Sequence, residues 1–510
     1  MQIKKVLAVV MSLCMIAGAE SYCAPVISNS ITAQASTVES DCFSFDEETG
    51  VLTLRGDVEA SALWLFSNKQ NVKSIIAEDG TVFPKTCNCL FQGFKNCTFI
   101  DLTNVDTSSA KLMNNMFDGC SSLTSLDLSE FNTGNVTYMN KMFKDCFSLK
   151  SLDLSRFNTI NVTDMSYMFQ NCSRLTTLDL TRFDTGHVKS MSCMFCGCSS
   201  LKELDLSRFN TKRVSSTDHM FYGCSSLTKL NIGNFDVRKV TNMWGMFYGC
   251  SGLKTLDLSS FQTNSVTDLG SMFCDCSSLK ELDLSGFISK QVTSIYGMFR
   301  GCSSLKGLDL SGISTIRVNN TNSMNEVFSG CTNLTYLNIS NFDTSNNPWL
   351  TDIFRDCNSL NTLVLGEKYT EITTAQALPN GDGWEKMPDS ETIVSGDGEF
   401  AVIKNDGENT YTRFTAITTT YPTNIKVQYS EKNHQVRFTW DKVNGAERYG
   451  IAVYQTGKWR LQTQNITDTV YTTPKNLTPG KTYKVAIAAR VNGTWDTANA
   501  IKHAVSITIK

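Results

Sequence analysis

Ten cysteines recur along the middle of the chain: Cys120, Cys146, Cys172, Cys198, Cys224, Cys250, Cys276, Cys302, Cys331 and Cys357. Such a file of thiols is a disulfide array, a metal array or a column of small buried groups. If each step is one coil of a stack, neighbours lie about 5 Å apart. That is within disulfide reach, but parallel side chains in register are poorly aimed at one another. Phe94 holds the equivalent place one step before Cys120, so an apolar group serves there. The spacing therefore predicts packing thiols. Three Cys-x-Cys pairs, Cys87/Cys89, Cys196/Cys198 and Cys274/Cys276, invite a metal reading. Cys196 and Cys274 are three steps apart, on the order of 15 Å, too far to share a zinc ion with bonds of ~2.3 Å. No histidine lies at a matching offset, and no metal or cofactor is expected.

A second file is acidic: Asp127, Asp153, Asp179, Asp205, Asp257, Asp283 and Asp309, with Asn231 and Asn338 at two of the same places. Each lies between two leucines, so alternation points it away from them. Carboxylates at strand spacing repel unless they are hydrogen-bonded or neutralised. Neighbouring Ser129, Ser155, Thr181, Ser207, Ser259 and Ser285 could supply those bonds. The file is either an acidic strip facing a basic or polyhydroxyl ligand, or a consensus residue that solvates the sheet and holds a bend. The positions just before the second leucine vary instead: Ser125, Ser151, Thr177, Glu203, Lys229, Thr255, Glu281 and Gly307. Variation where the scaffold makes no demand marks them, with Glu203, Lys229 and Glu281 foremost, as candidates for specificity. No catalytic constellation accompanies them. The four histidines, His187, His219, His434 and His503, have no partner pattern, and no nucleophile elbow, phosphate loop or His-Glu-x-x-His is present. The chain is expected not to be an enzyme.

The element that must position these files is a repeat. A Phe, mostly within Met-Phe, recurs at 91, 117, 143, 169, 195, 221, 247, 273 and 299, in steps of 26, then at 328 and 354. That is eleven copies with one three-residue insertion, inside the period range of leucine-rich repeats. In the unit 148–172, Leu152 and Leu154 share one strand face. Asn158 and Thr159 suit a bend. Thr163 reads as a helix N-cap, and Met165, Met168, Phe169 and Cys172 follow as one helical stripe. Stacked units would bury ladders of Phe (131, 157, 183, 209, 235, 261, 287) and of Val (136 to 292). The expected fold is an α/β leucine-rich-repeat solenoid of about eleven 26-residue strand-helix repeats, with β-rich caps at 41–84 and 367–418.

The unit MF-x-x-C-x-x-L-x-x-L-D-L-S-x-F-x-T-x-x-V-T-x-M resembles that of the BspA-like leucine-rich-repeat surface proteins over about residues 85–366. The resemblance implies a microbial surface or secreted protein of the kind associated with adhesion to host matrix, host cells or other microbes. Residues 421–510 lack cysteine and alternate like sandwich strands. Trp440 and the run from Leu477 to Tyr483 resemble a fibronectin type III domain, in which Tyr483 would take the tyrosine-corner role. There is no Arg-Gly-Asp in it.

At the start, Lys4 and Lys5, the apolar run Val6–Ile16 and Ala17-Gly18-Ala19 read as a signal peptide, 1–19. No stretch approaches the length of a transmembrane segment. A net charge of −3 argues against nucleic acid as a partner. The chain is thus expected to be secreted or extracellular, associated with the cell surface without a covalent anchor. Its expected role is adhesin or protein-interaction protein with an extracellular protein or glycan ligand. The alternative is a glycan-binding accessory of an extracellular polysaccharide-degrading system, for which Trp244, Tyr296, Trp459 and Trp495 are the candidate aromatic platforms.

Overall fold

A computed structural model describes residues 37–510 apart from 321, 347–348, 389–391, 415–418 and 476. The signal-peptide segment 1–19 lies outside the described residues. The chain divides into two units, 1–359 and 360–510.

The first unit is a β-solenoid. An antiparallel ribbon, Thr37–Glu39, Phe43–Asp46 and Val51–Leu54, opens it. Parallel stacking then begins: Val51–Leu54 pairs with Ser74–Ala77, that strand with Phe99–Asp101, and that one with Ser125–Asp127. Further along, Glu203–Asp205 pairs in register with Lys229–Asn231, and Gly307–Asp309 with Tyr336–Ile339. A second parallel line runs down another side of each coil through single bridges, from Thr86↔Leu112 to Asp268↔Ser294.

The strand-helix unit is not what forms. Among the described residues only Ala60–Trp64 and Thr497–Lys502 are α-helical, so the α/β expectation is corrected to an almost all-β architecture. In the unit 148–172, the Thr163–Cys172 segment is a run of tight turns. Met168, Gln170 and Cys172 N–H groups bond back three residues, to Met165, Tyr167 and Phe169. The alternating Tyr167, Phe169 and Asn171 N–H groups instead leave the coil and bond to the Ser192, Met194 and Cys196 carbonyls of the next one. A helix would keep all of these within the segment. Two left-handed residues per coil enforce the difference, here Tyr167 (φ 60°) and Asn171 (φ 59°). Thr163 does not cap a helix: its N–H and hydroxyl both bond to the Thr137 carbonyl one coil back. Turns four residues apart put Met165, Met168, Phe169 and Cys172 on one inward side. The stripe was therefore legible, but two kinds of backbone can produce it.

The interior consists of the expected ladders. The Met-Phe rings from Phe91 to Phe354 are fully buried and stack with centroids 5.4 to 6.1 Å apart. The second file, Phe131 to Phe287, and the Val136 to Val292 file are buried beside them. A threonine file adds polar staples. The buried Thr185 hydroxyl donates to the Asn210 carbonyl (3.2 Å) and accepts from the Asn210 N–H (2.7 Å). Thr107, Thr133 and Thr211 do the same one coil apart. The three-residue insertion is absorbed between Val318 and Met324, since the Ile295 N–H reaches the Ser323 carbonyl while Thr315 still bonds Asp343.

In the second unit, residues 360–414 form short strands around buried Trp384, Tyr369 and Tyr411. The Asn405 side chain ties them, donating to the Gly366 and Tyr369 carbonyls and accepting from the Tyr411 hydroxyl. Residues 426–508 form two antiparallel sheets, one of Lys426–Ser430, Gln435–Thr439 and Val470–Thr472, the other centred on Ala446–Gln455 and Thr482–Val491. Val436, Phe438, Trp440, Tyr449, Ile451, Val485 and Ile487 share one core. The tyrosine hydroxyl that accepts a backbone N–H there is that of Tyr449, from Val443. Tyr483 is half-buried with the Lys481 ammonium over its ring.

Candidate functional site

The cysteine file is resolved by geometry. Every cysteine among the described residues is a free thiol. Each file member donates its S–H to the carbonyl of the Phe one turn back on the preceding coil: Cys198 to Phe169 at 3.1 Å, Cys224 to Phe195 at 3.1 Å, Cys302 to Phe273 at 3.0 Å. The thiol thus adds a second hydrogen bond to a buried carbonyl that already accepts the N–H of the cysteine in its own turn. Burial pushes these thiols up, to about 12 at Cys172, so they stay protonated and unreactive.

The acidic file lies on the exposed side of the strands. Asp127, Asp153, Asp179, Asp205, Asp257, Asp283 and Asp309 are all exposed. Each accepts the backbone N–H two residues on, from Ser129, Ser155, Thr181, Ser207, Ser259, Ser285 and Ser311, at 2.9 to 3.0 Å. Asn338 makes the same bond to Ser340. A side-chain oxygen that closes the bend is therefore what the position requires, and asparagine serves. These N–H bonds hold Asp153, Asp179, Asp205, Asp257 and Asp283 below the usual carboxylate range. At Asp309 partial burial opposes the shift, and the Ser311 bonds prevail. Because the folded value is depressed, the stabilisation is complete above the ordinary value of 3.8 and is lost as pH falls below it. Asp179→Asn should leave the melting temperature at pH 7 nearly unchanged and remove this site's share of acid sensitivity. Asp179→Ala should lower the melting temperature at pH 7 as well. Thermal melts at pH 7 and pH 3 check both outcomes.

The varied positions flank this file. Glu203 and Lys229 are exposed and face each other across the register, 3.7 Å apart. Glu281, two coils beyond Lys229, is also exposed. The structure gives none of these a role inside the coil.

Singular chemistry appears on the turn side, at residues outside the recurrent files. Cys193 and His219 occupy the same left-handed turn position on adjacent coils (φ 54° and 53°). Ligand atoms of Cys193, Asp218 and His219 lie within 4.8 Å of one another. His219 Nδ1 is 3.3 Å from Asp218 Oδ2, and Asp218 Oδ1 accepts from the Ser192 hydroxyl (2.6 Å) and from that of Ser216. Burial opposes ionisation of Asp218, but the bonds from His219, Ser192 and Ser216 outweigh it and lower its carboxyl to about 2. The proximity of the two thiols pushes Cys193 up and holds Cys196 down. Around them, Trp244 packs on His219 (4.5 Å) and Tyr222 stacks on Tyr248 (4.6 Å). A Cβ at Gly270 would fall 2.7 Å from Trp244 Cδ1, so glycine there leaves room for the indole. The signal was present in the sequence as the one-coil offset between Cys193 and His219, beside the more conspicuous Cys-x-Cys pairs. Of the other aromatic candidates, Tyr296 donates to Glu326 (3.3 Å), Trp459 packs on Tyr454 and Trp495 lies over Gly450.

No helix among the described residues is long and apolar enough to cross a membrane. No curated relative matches the chain. A solved Fn3-like protein from Clostridium thermocellum is 24% identical over 15% of this chain and 82% of its own, with a TM-score of 0.14. The family model for a BspA type leucine rich repeat region matches residues 19–129. The model described as "Mycoplasma protein of unknown function, DUF285" matches 85–204, 153–230, 199–311 and 280–378. These last matches together span more than half of the chain, and with the stacked 26-residue coils they lead to one conclusion: the chain belongs to the DUF285 family, and its N-terminal part is similar to BspA type leucine rich repeats.

Proposed function

We propose that this protein is a secreted or cell-surface microbial adhesin, binding a host or microbial surface macromolecule through the strand face of its solenoid. The observation that carries the reading is a division of labour on that face. The strand leucines are buried, apart from half-buried Leu230 and Leu282, and the aspartates close the bends. The varied positions Glu203, Lys229 and Glu281 are exposed, and the first two make no more than a surface ion pair with each other. An extended surface of this kind binds through many weak contacts and requires no cofactor. The family assignment supports a surface interaction role. Residues 421–510 fit a fibronectin type III spacer, through buried Trp440 and a two-sheet core. The basic and apolar run at 4–19 supports export.

A second reading, a glycan-binding accessory protein, is favoured by the paired aromatic rings on the turn side, His219 with Trp244 and Tyr222 with Tyr248. Planar sugar faces stack on such rings. One experiment separates the two. The reduced full chain is applied to an array of extracellular-matrix proteins and mucins beside an array of glycans. The adhesin reading predicts selective protein binding that survives Trp244→Ala and Trp459→Ala. Selective glycan binding abolished by either substitution would overturn it.

A further inference from the structure

The turn side holds one group that the repeat does not explain. At the position of Cys193 and His219, other coils carry Asn115, Lys141, Tyr167, Gly245, Ser271 and Gly297, all left-handed. The scaffold therefore asks only for a residue that tolerates positive φ, and neither a thiol nor an imidazole is needed for the fold. Two adjacent coils nonetheless place both there, with a carboxylate beside them.

We propose that Cys193, Asp218 and His219 form a binding site for a zinc-class divalent cation on the turn side of the solenoid. The donor set is one sulfur, one nitrogen and one oxygen. That mixture suits a borderline-soft transition metal and not calcium or magnesium, which take oxygen ligands. The three ligand atoms already lie within 4.8 Å of one another. Ligands on a tetrahedral ion with bonds of roughly 2.0 to 2.3 Å sit somewhat closer together, so small side-chain rotations close the site. The backbone is held on both coils: the Cys193 N–H bonds the Asp218 carbonyl at 2.9 Å, and the His219 N–H bonds that of Trp244 at 2.8 Å.

An outer layer orients the ligands as metal sites require. Ser192 and Ser216 fix Asp218, and Trp244 packs on the His219 ring. His219 and Asp218 keep side-chain exposures of 29% and 21%, enough for an ion to enter. Binding displaces the Cys193 thiol proton to solvent, and no redox step is involved. The site is independent of the strand face on which the adhesin reading rests.

Cobalt(II) is the probe. The full chain is kept reduced, stripped with chelator and titrated with Co²⁺. The expected result is a single equivalent bound, with a thiolate-to-cobalt charge-transfer band, tetrahedral d–d bands and displacement by Zn²⁺. Cys193→Ser and His219→Asn introduce residue types that Ser271 and Asn115 already hold at this turn, so folding is preserved. Each should abolish the tetrahedral cobalt spectrum, and Ser216→Ala should weaken binding by about 10-fold. Unfolding curves matching the parent verify the fold. Absence of the charge-transfer band in the folded parent would overturn the proposal. So would a band that persists unchanged in folded Cys193→Ser or His219→Asn.

Discussion

Phe195→Ala is expected to destabilise the solenoid by about 3–5 kcal/mol, the usual cost of deleting a fully buried aromatic ring. Its ring is fully buried and stacks between Phe169 and Phe221 at 5.7 Å on both sides. Deletion removes both stacking partners' packing surface and opens a cavity. The coils above and below are held in place by backbone bonds, from Phe169 to Met194 and from Phe195 to Met220, so the cavity cannot simply collapse. The Phe195 carbonyl also accepts the Cys224 thiol, and a shift of the turn would strand that buried pair. Guanidinium unfolding of the parent and variant measures the difference. A loss below about 1 kcal/mol would mean that the ring file is not a packed core.

Replacing Gly197, Gly223 and Gly249 together by alanine should destabilise the protein by about 3–6 kcal/mol, since each L-residue forced into left-handed backbone costs roughly 1–2 kcal/mol. Their φ angles are 76°, 70° and 68°. The sign is the informative part. In a helix interior each glycine-to-alanine change would stabilise by about 0.5–1 kcal/mol. At Gly223 a Cβ would meet nothing closer than 3.9 Å, so that site reports backbone strain with little steric contribution. At Gly197 the new Cβ would also clash with Asn171 Oδ1, and a larger loss is expected there. Chemical denaturation of the single and triple variants checks the sign and the order. Stabilisation would support the strand-helix unit.

What could be read from the sequence was set by which physical constraints leave a periodic trace. Burial does so. The Phe, Val and Cys files recur every 26 residues because each coil must present the same inward surface to its neighbours, and that part of the interior was legible. The backbone beneath the stripe was not. Met165, Met168, Phe169 and Cys172 fit a helical face, yet four-residue turns give the same spacing. The deciding fact is where the Tyr167, Phe169 and Asn171 N–H groups bond, and that depends on the next coil. Residues such as Asn115, Gly119, Asp145 and Asn171 gave a weak local hint, since Asn, Asp and Gly are frequent at the two turn positions. Tyr, Cys and His at the same positions obscured it.

The candidate sites divide along the same line. The bend-closing role of the aspartate file was among the readings that its serine and threonine neighbours suggested. The grouping of Cys193, Asp218 and His219 requires knowing that residues one coil apart are in contact at the turn. In the 421–510 segment, the sequence singled out Tyr483 for a hydroxyl tie that Tyr449 makes instead, because both tyrosines alternate inward from neighbouring strands.

The claim that the varied strand positions carry no more than a surface ion pair and are available to a ligand is tested most directly by one comparison. A chain carrying Glu203→Lys, Lys229→Glu and Glu281→Lys keeps the ion pair at the first two positions in reversed order while inverting the charge pattern of the face. Its affinity for the macromolecule selected by the parent is measured by surface plasmon resonance, beside an unfolding curve. The predicted result is binding weakened by about 10-fold or more, as when several charges across an interface are reversed, with an unfolding midpoint equal to the parent's. Unchanged affinity in the folded variant would contradict the claim.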